Sequence, residues 1–119
     1  MTILIADNSQ VWRDFAKTTF PKGVSLIECP DGEEVLAAFD RHRPHWVLMD
    51  IQMDKMDGLT AARLLRERFP GARIIFVTQF GDADLRAAAA ALSVEGYVLK
   101  DDFSRVHKII AKAWAQETK

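Results

Sequence analysis

Four side chains in this sequence stand where an apolar run stops. Asp7 follows Thr2 to Ala6, Asp50 follows Trp46 to Met49, Thr78 closes Arg73 to Thr78, and Lys100 follows Gly96 to Leu99. Singly, each has an ordinary structural explanation: a turn acid, a loop acid, a strand threonine, a solvated amine. Together they are two acids, a hydroxyl and an amine, each at the end of a different run. The chemistry that uses such a set is phosphoryl transfer to a carboxylate, since aspartate is among the side chains that form covalent intermediates. Catalysis of that transfer is mostly positioning and neutralisation of charge on the phosphoryl oxygens. One or two carboxylates can hold a magnesium ion for this purpose. A lysine ammonium supplies a compact positive charge to another oxygen, and a hydroxyl can hydrogen-bond a third. Asp50 is the candidate nucleophile.

These residues are useful only if the chain brings the ends of the runs together. Short apolar runs without polar alternation read as strands buried on both faces, as in a parallel sheet. The five runs are Thr2–Ala6, Val24–Glu28, Trp46–Met49, Arg73–Thr78 and Gly96–Leu99. Helical patterns lie between them. The first carries Val11, Trp12, Phe15, Ala16, Thr19 and Phe20 as an apolar stripe behind a cap at Asn8 or Ser9. The second is opened by Asp31 and Glu34 as a capping box, buries Val35, Leu36 and Phe39, and stops at Pro44. The third runs from about Asp57 to Phe69 with Leu59, Ala62, Leu65 and Phe69 inward. The fourth is the alanine-rich span from Asp82 to Leu92, a strong helix former. The fifth runs from Asp102 to Ala115 with Phe103, Val106, Ile110 and Ala113 on one face. Strict alternation of strand and helix implies a parallel sheet covered on both faces with right-handed crossovers. The carboxyl ends of all five strands then share one edge, where open α/β sheets bind ligands.

The chain has 119 residues, enough for one domain with one core. Its formal net charge of −1 offers no basic field for nucleic acid and no polybasic run for a membrane. The single cysteine, Cys29, cannot form an internal disulfide, which fits a reducing, cytoplasmic setting, and it reads as a small core residue. Met1 leads directly into a strand, so no signal peptide is expected. His42, His45 and His107 lack metal-ligand spacing and read as surface residues. Trp114 suits either the core or an interface.

Four blocks carry a resemblance to a known family: Ile3-Leu4-Ile5-Ala6-Asp7, Asp50-Ile51-Gln52-Met53 with Met56-Asp57-Gly58-Leu59, Val77-Thr78, and Gly96-Tyr97-Val98-Leu99-Lys100. From Ile3 to about Ala113 the chain resembles the receiver domain of two-component response regulators. It looks most like receivers that precede LuxR-type helix-turn-helix domains. The resemblance implies a flavodoxin-like (βα)5 three-layer sandwich with strand order 2-1-3-4-5, and one receiver domain over 1–119 without an effector domain in these residues. It implies that Asp50 is the phosphoacceptor, Lys100 the phosphate-pairing amine, Thr78 the switch hydroxyl and Tyr97 the aromatic that changes rotamer. It also implies Mg2+ held by Asp7, the residue at position 8, Asp50 and the backbone carbonyl of Gln52. The partners implied are a sensor histidine kinase or phosphotransfer protein, a possible second copy of the chain, and DNA only through an effector domain. Such a protein is no enzyme; it assists its own phosphorylation and dephosphorylation, and shifts the surface of the fourth helix, fifth strand and fifth helix.

The departures from that family are specific. Receivers usually carry two acids after the first strand, and here the pair is Asp7-Asn8, one formal charge fewer for a hard cation. Weaker Mg2+ binding and slower or altered phosphorylation are expected. Asp54 stands where proline is common and is expected to face solvent. Gln79 follows Thr78 where a small residue is common. Asp101 follows Lys100 where many receivers have a cis proline, and a non-proline cis bond is costly. A haloacid-dehalogenase-type phosphatase would want a second aspartate at position 52, where Gln52 stands. A flavodoxin would want a Ser/Thr/Gly-rich phosphate cradle, which Asn8-Ser9-Gln10-Val11 does not supply. The rival of a different class is a degenerate receiver acting as a phosphorylation-independent interaction module, motivated by Asn8 and Gln79.

Overall fold

All five apolar runs form strands. The computed structural model describes residues 1–117. In chain order the elements are β1 (Thr2–Ala6), α1 (Gln10–Thr18), β2 (Ser25–Cys29), α2 (Val35–His42), β3 (Trp46–Met49), α3 (Gly58–Arg68), β4 (Ile74–Thr78), α4 (Ala83–Ala91), β5 (Gly96–Leu99) and α5 (Ser104–Glu117). A 3-10 turn, Lys100–Asp102, joins β5 to α5. The strands pair in parallel in the order β2-β1-β3-β4-β5. The fold is therefore the α/β sandwich expected.

Side chains alternate across each strand, and both sets are apolar, so the sheet separates two cores. Leu4, Val47, Met49, Ile74 and Phe76 pack with Val35, Phe39, Ala61, Ala62 and Leu65 from α2 and α3, and with Ala89 from α4. Ile3, Ile5, Trp46, Leu48, Ile75 and Val77 pack with Ala16 of α1 and with Phe103, Val106 and Ile110 at and within α5. The continuous hydrophobicity of β3 follows: all four residues are buried, two against each layer.

Helix ends are set by local chemistry. Ser9 caps α1, its hydroxyl accepting from the Trp12 amide at 3.2 Å. Asp57 caps α3 by accepting from Thr60 N at 2.8 Å. Asp31 accepts from Glu34 N at 3.1 Å, but the helix itself starts only at Val35. Across the sheet edge, Arg66 of α3 reaches Glu95 before β5 at 2.8 Å, and Glu95 accepts from Ile74 N at 3.0 Å.

Three expectations need correction. The rotation of α1 differs from the predicted stripe: Val11 is 81% exposed and Phe15 48% exposed, whereas Arg13 is buried. The Arg13 guanidinium donates to the Asp7 carbonyl oxygen, to Gln10 Oε1 at 2.7 Å and, from Nε, to Glu28 Oε1 at 3.1 Å. A buried charge paired this fully can turn a helix against its hydrophobic periodicity. His107 is half-buried, not a surface residue; its Nε2 lies 2.9 Å from Thr19 Oγ1 and its ring packs on Phe20 and Phe103. The last helix begins at Ser104, two residues late, because the 3-10 turn takes up Asp102. Trp114 is 57% exposed.

Candidate functional site

The carboxyl ends of β1, β3 and β5 gather three of the predicted residues into one cluster. The Lys100 ammonium lies 2.7 Å from Asp7 Oδ2 and 3.0 Å from Asp50 Oδ2. Both acids are buried, 2% and 6% exposed, and so each is stripped of most of its water. Backbone amides hold their other oxygens. Ser9 N donates to Asp7 Oδ1 at 2.8 Å, and Ile51 N donates to Asp50 Oδ1 at 2.7 Å, with Gln52 N at 3.4 Å. Two carboxylates and one ammonium leave the cluster with a net negative charge. Burial pushes the Asp7 carboxyl above the ordinary aspartate range, and its contacts with Lys100 and Ser9 only partly offset this. Burial alone would lower the Lys100 ammonium; hydrogen bonds to Asp7 and Asp50 outweigh it and hold the amine above the ordinary lysine range.

The cluster is the floor of an open cleft of about 580 Å3. Asn8, Ser9, Asp50, Gln52, Asp54, Asp57, Gln79 and Lys100 supply its polar lining, which brings Asn8 and Gln52 to the same cleft as Asp50. Asp54 and Gln79 are exposed at the rim. The Lys100–Asp101 peptide is trans.

Thr78 and Tyr97 are brought together elsewhere. Thr78 is fully buried, and its hydroxyl accepts from Phe80 N at 3.3 Å. The Tyr97 hydroxyl donates to the carbonyl oxygen of the same residue, Phe80, at 2.5 Å. The Arg86 guanidinium lies 4.6 Å from the Tyr97 ring centroid and donates to Gly81 O at 3.2 Å. Both predicted switch residues thus grip the loop between β4 and α4, not the carboxylate cluster.

Two contacts to the cluster were absent from the sequence-based expectations. Arg13 bonds the Asp7 carbonyl oxygen, and Trp12 places its ring 5.0 Å from the Lys100 ammonium. A sequence signal for Arg13 exists, a lone cation inside an apolar helical stripe. None exists for Trp12, whose place in that stripe looks like any core aromatic. Cys29 ends β2 as a buried residue, and burial, aided by Glu34 and Asp31, pushes its thiol up to about 11. It is no nucleophile near neutral pH.

Whether a divalent cation suits this cluster can be judged from its donors. Among the described residues, no group of three or more Asp, Glu, His or Cys side chains is arranged to hold a metal ion. The cluster instead offers two carboxylates beside neutral amide and carbonyl oxygens. That set suits Mg2+, which keeps several waters and takes one or two carboxylates. Asp7 Oδ2 is buried with the ammonium as its partner and no other hydrogen-bond donor, so it has the capacity to face a cation.

Comparison with known proteins agrees with this fold. The sequence profile of the response regulator receiver domain matches residues 3–111. The chain belongs to the receiver domain family. This receiver is 32% identical over 104 residues to the transcriptional regulatory protein YhcZ of Bacillus subtilis, covering 85% of this chain and 49% of that protein. It is 28% identical over 102 residues to the transcriptional regulatory protein DegU of Brevibacillus brevis, covering 83% and 43% respectively. It therefore spans about half the length of these relatives. In fold, the receiver superposes on a LuxR-family two-component response regulator from Aurantimonas sp. with a TM-score of 0.87 at 23% identity, covering 97% and 85% of the two chains. No helix among the described residues is long and apolar enough to cross a membrane.

Proposed function

We propose that this receiver is a phosphorylation-dependent signalling switch with Asp50 as its phosphoacceptor. In the transfer, an Asp50 carboxylate oxygen forms a bond to phosphorus as the P–N bond of a phosphohistidine on a sensor kinase or phosphotransfer protein breaks. The observation that carries this assignment is the Lys100 ammonium bridging Asp50 and Asp7 on the floor of an open acidic cleft. The ammonium neutralises charge on the cluster before transfer and can follow the incoming oxygens afterwards. Asp7, Asp50, the side-chain oxygen of Asn8 and the backbone carbonyl of Gln52 would hold Mg2+. When bound, that ion supplies charge neutralisation to the phosphoryl oxygens. Asn8 contributes no charge, so binding is weaker than with a second acid. The chain acts as an acceptor and not as an enzyme with a released product, beyond assisting gain and loss of its own phosphoryl group.

Output follows from the loop that Thr78 and Tyr97 share. If the Thr78 hydroxyl turns toward a phosphoryl oxygen, the Phe80 amide loses its acceptor, and the Tyr97 bond to the same residue is strained with it. The surface of α4, β5 and α5 then shifts population between two arrangements, for a second copy, a partner or an effector domain to read.

The test is acetyl phosphate with Mg2+ and intact-mass measurement. One phosphoryl group on Asp50, absent in Asp50→Asn, is expected. A folded wild-type chain that never gains it, and whose spectrum ignores beryllofluoride, would favour the phosphorylation-independent module that Asn8 suggests.

A further inference from the structure

We propose that Trp12 is a positioning residue for Lys100, its indole face holding the ammonium against the two carboxylates. The inference rests on the phosphoacceptor assignment for its consequence, but not for its geometry. The ammonium lies 5.0 Å from the Trp12 ring centroid, within the range of a cation–π contact. Its ion-pair partners are Asp7 Oδ2 and Asp50 Oδ2. The amine is therefore bounded by carboxylates on one side and an aromatic face on another.

The indole is itself fixed. Its ring meets Phe103 edge-on at 5.4 Å, three residues after Lys100, and leans on Phe15 at 5.1 Å. Trp12, Phe103, Asp7 and Asp50 also line one small apolar-walled void beneath the cluster. The Trp12 backbone amide is anchored separately, on the Ser9 hydroxyl that caps α1. A cation on an aromatic face stays charged and poorly hydrated while free to slide. A lysine that must leave Asp50 for a phosphoryl oxygen needs that freedom. A third carboxylate in place of the indole would hold the amine more tightly and slow its departure.

Two measurements test this. In the first, the Lys100 side-chain protons next to the ammonium are followed by NMR. Upfield displacement by the indole ring current is expected in the wild type, with return to ordinary lysine positions in Trp12→Leu. Ordinary positions in the folded wild type would overturn the placement. In the second, the rate of Asp50 phosphorylation by acetyl phosphate is measured at saturating Mg2+. Trp12→Leu is expected to slow it about 3- to 10-fold, and Trp12→Phe less. Mono-, di- and trifluorotryptophan placed at position 12 by codon suppression keep size and packing while draining the ring face of charge. A graded fall in rate along that series is expected, and a flat series would overturn the role. If Asp50 takes no phosphoryl group at all, the function proposed above falls, while the NMR result still decides where the ammonium sits.

Discussion

Two buried carboxylates compete for one ammonium at this site, and the competition has a sign. Asp7 sits above the ordinary aspartate range because burial disfavours its charge. Replacing it by asparagine keeps the shape and removes one buried negative charge. Asp7→Asn is expected to raise the melting temperature by several degrees, about 1 kcal/mol, while lowering Mg2+ affinity and phosphorylation. A variant that melts lower than wild type would contradict that balance. Asn8→Asp adds the missing charge at the open rim and is expected to tighten Mg2+ binding about tenfold, read by calorimetry. Unchanged affinity would remove position 8 from the cation site. Asp7, Asp50 and Lys100 were legible in the sequence because a strand tip has only one place to be once the sheet is parallel. Trp12 was not, and Arg13, though marked as a lone cation in an apolar stripe, went unread. Helical periodicity gives a stripe but not its rotation, and the buried Arg13, bonded to Asp7 O, Gln10 and the more exposed Glu28, goes with a turn of α1 that leaves Val11 and Phe15 toward water.

At the scale of elements, two loops are clamped where a side chain has no room. A Cβ on Gly58 would lie 2.1 Å from the Asp50 carbonyl oxygen, and one on Gly32 would lie 2.1 Å from that of Met56. Both contacts bear on the stretch that follows Asp50. Gly58→Ala is expected to cost about 1–3 kcal/mol in denaturant unfolding and to displace Asp50 as well. A neutral result would mean that the β3–α3 loop is free to relax. The loop after β4 is held instead by hydrogen bonds from both sides of Phe80. Tyr97→Phe removes one of them and is expected to speed amide exchange over residues 80–82 several-fold, with about 1 kcal/mol lost locally. Most elements were readable to within one or two residues from apolar runs and caps. The start of α5 came two residues late, because a 3-10 turn leaves no signature distinct from a helix start.

For the whole molecule, pH acts through groups at opposite ends of the sheet. With Asp7 raised, the native state holds its proton longer than the unfolded chain, so this group's contribution to stability falls as pH climbs from the ordinary aspartate range to the raised value. Lys100 is raised as well; its contribution is complete below the ordinary lysine value and is lost in alkali as pH passes the raised one. His107 is lowered by burial, so the native state resists its protonation, and stability drops as pH falls through the ordinary imidazole range. His107→Gln is expected to shrink the stability difference between about pH 8 and about pH 5, measured by urea unfolding. An unchanged difference would shift that dependence to another group. The fold class was legible throughout, since alternation of strands and helices leaves few topologies.

The three tryptophans occupy three unlike surroundings: Trp12 beside the ammonium, Trp46 buried with the Arg73 guanidinium 4.3 Å from its ring, and Trp114 largely in water. Their emission colours should therefore separate. A chain keeping only one indole at a time would carry its own lamp at the cleft, in the interior or near the far end of α5, and light from the first should change when the acidic cluster is occupied.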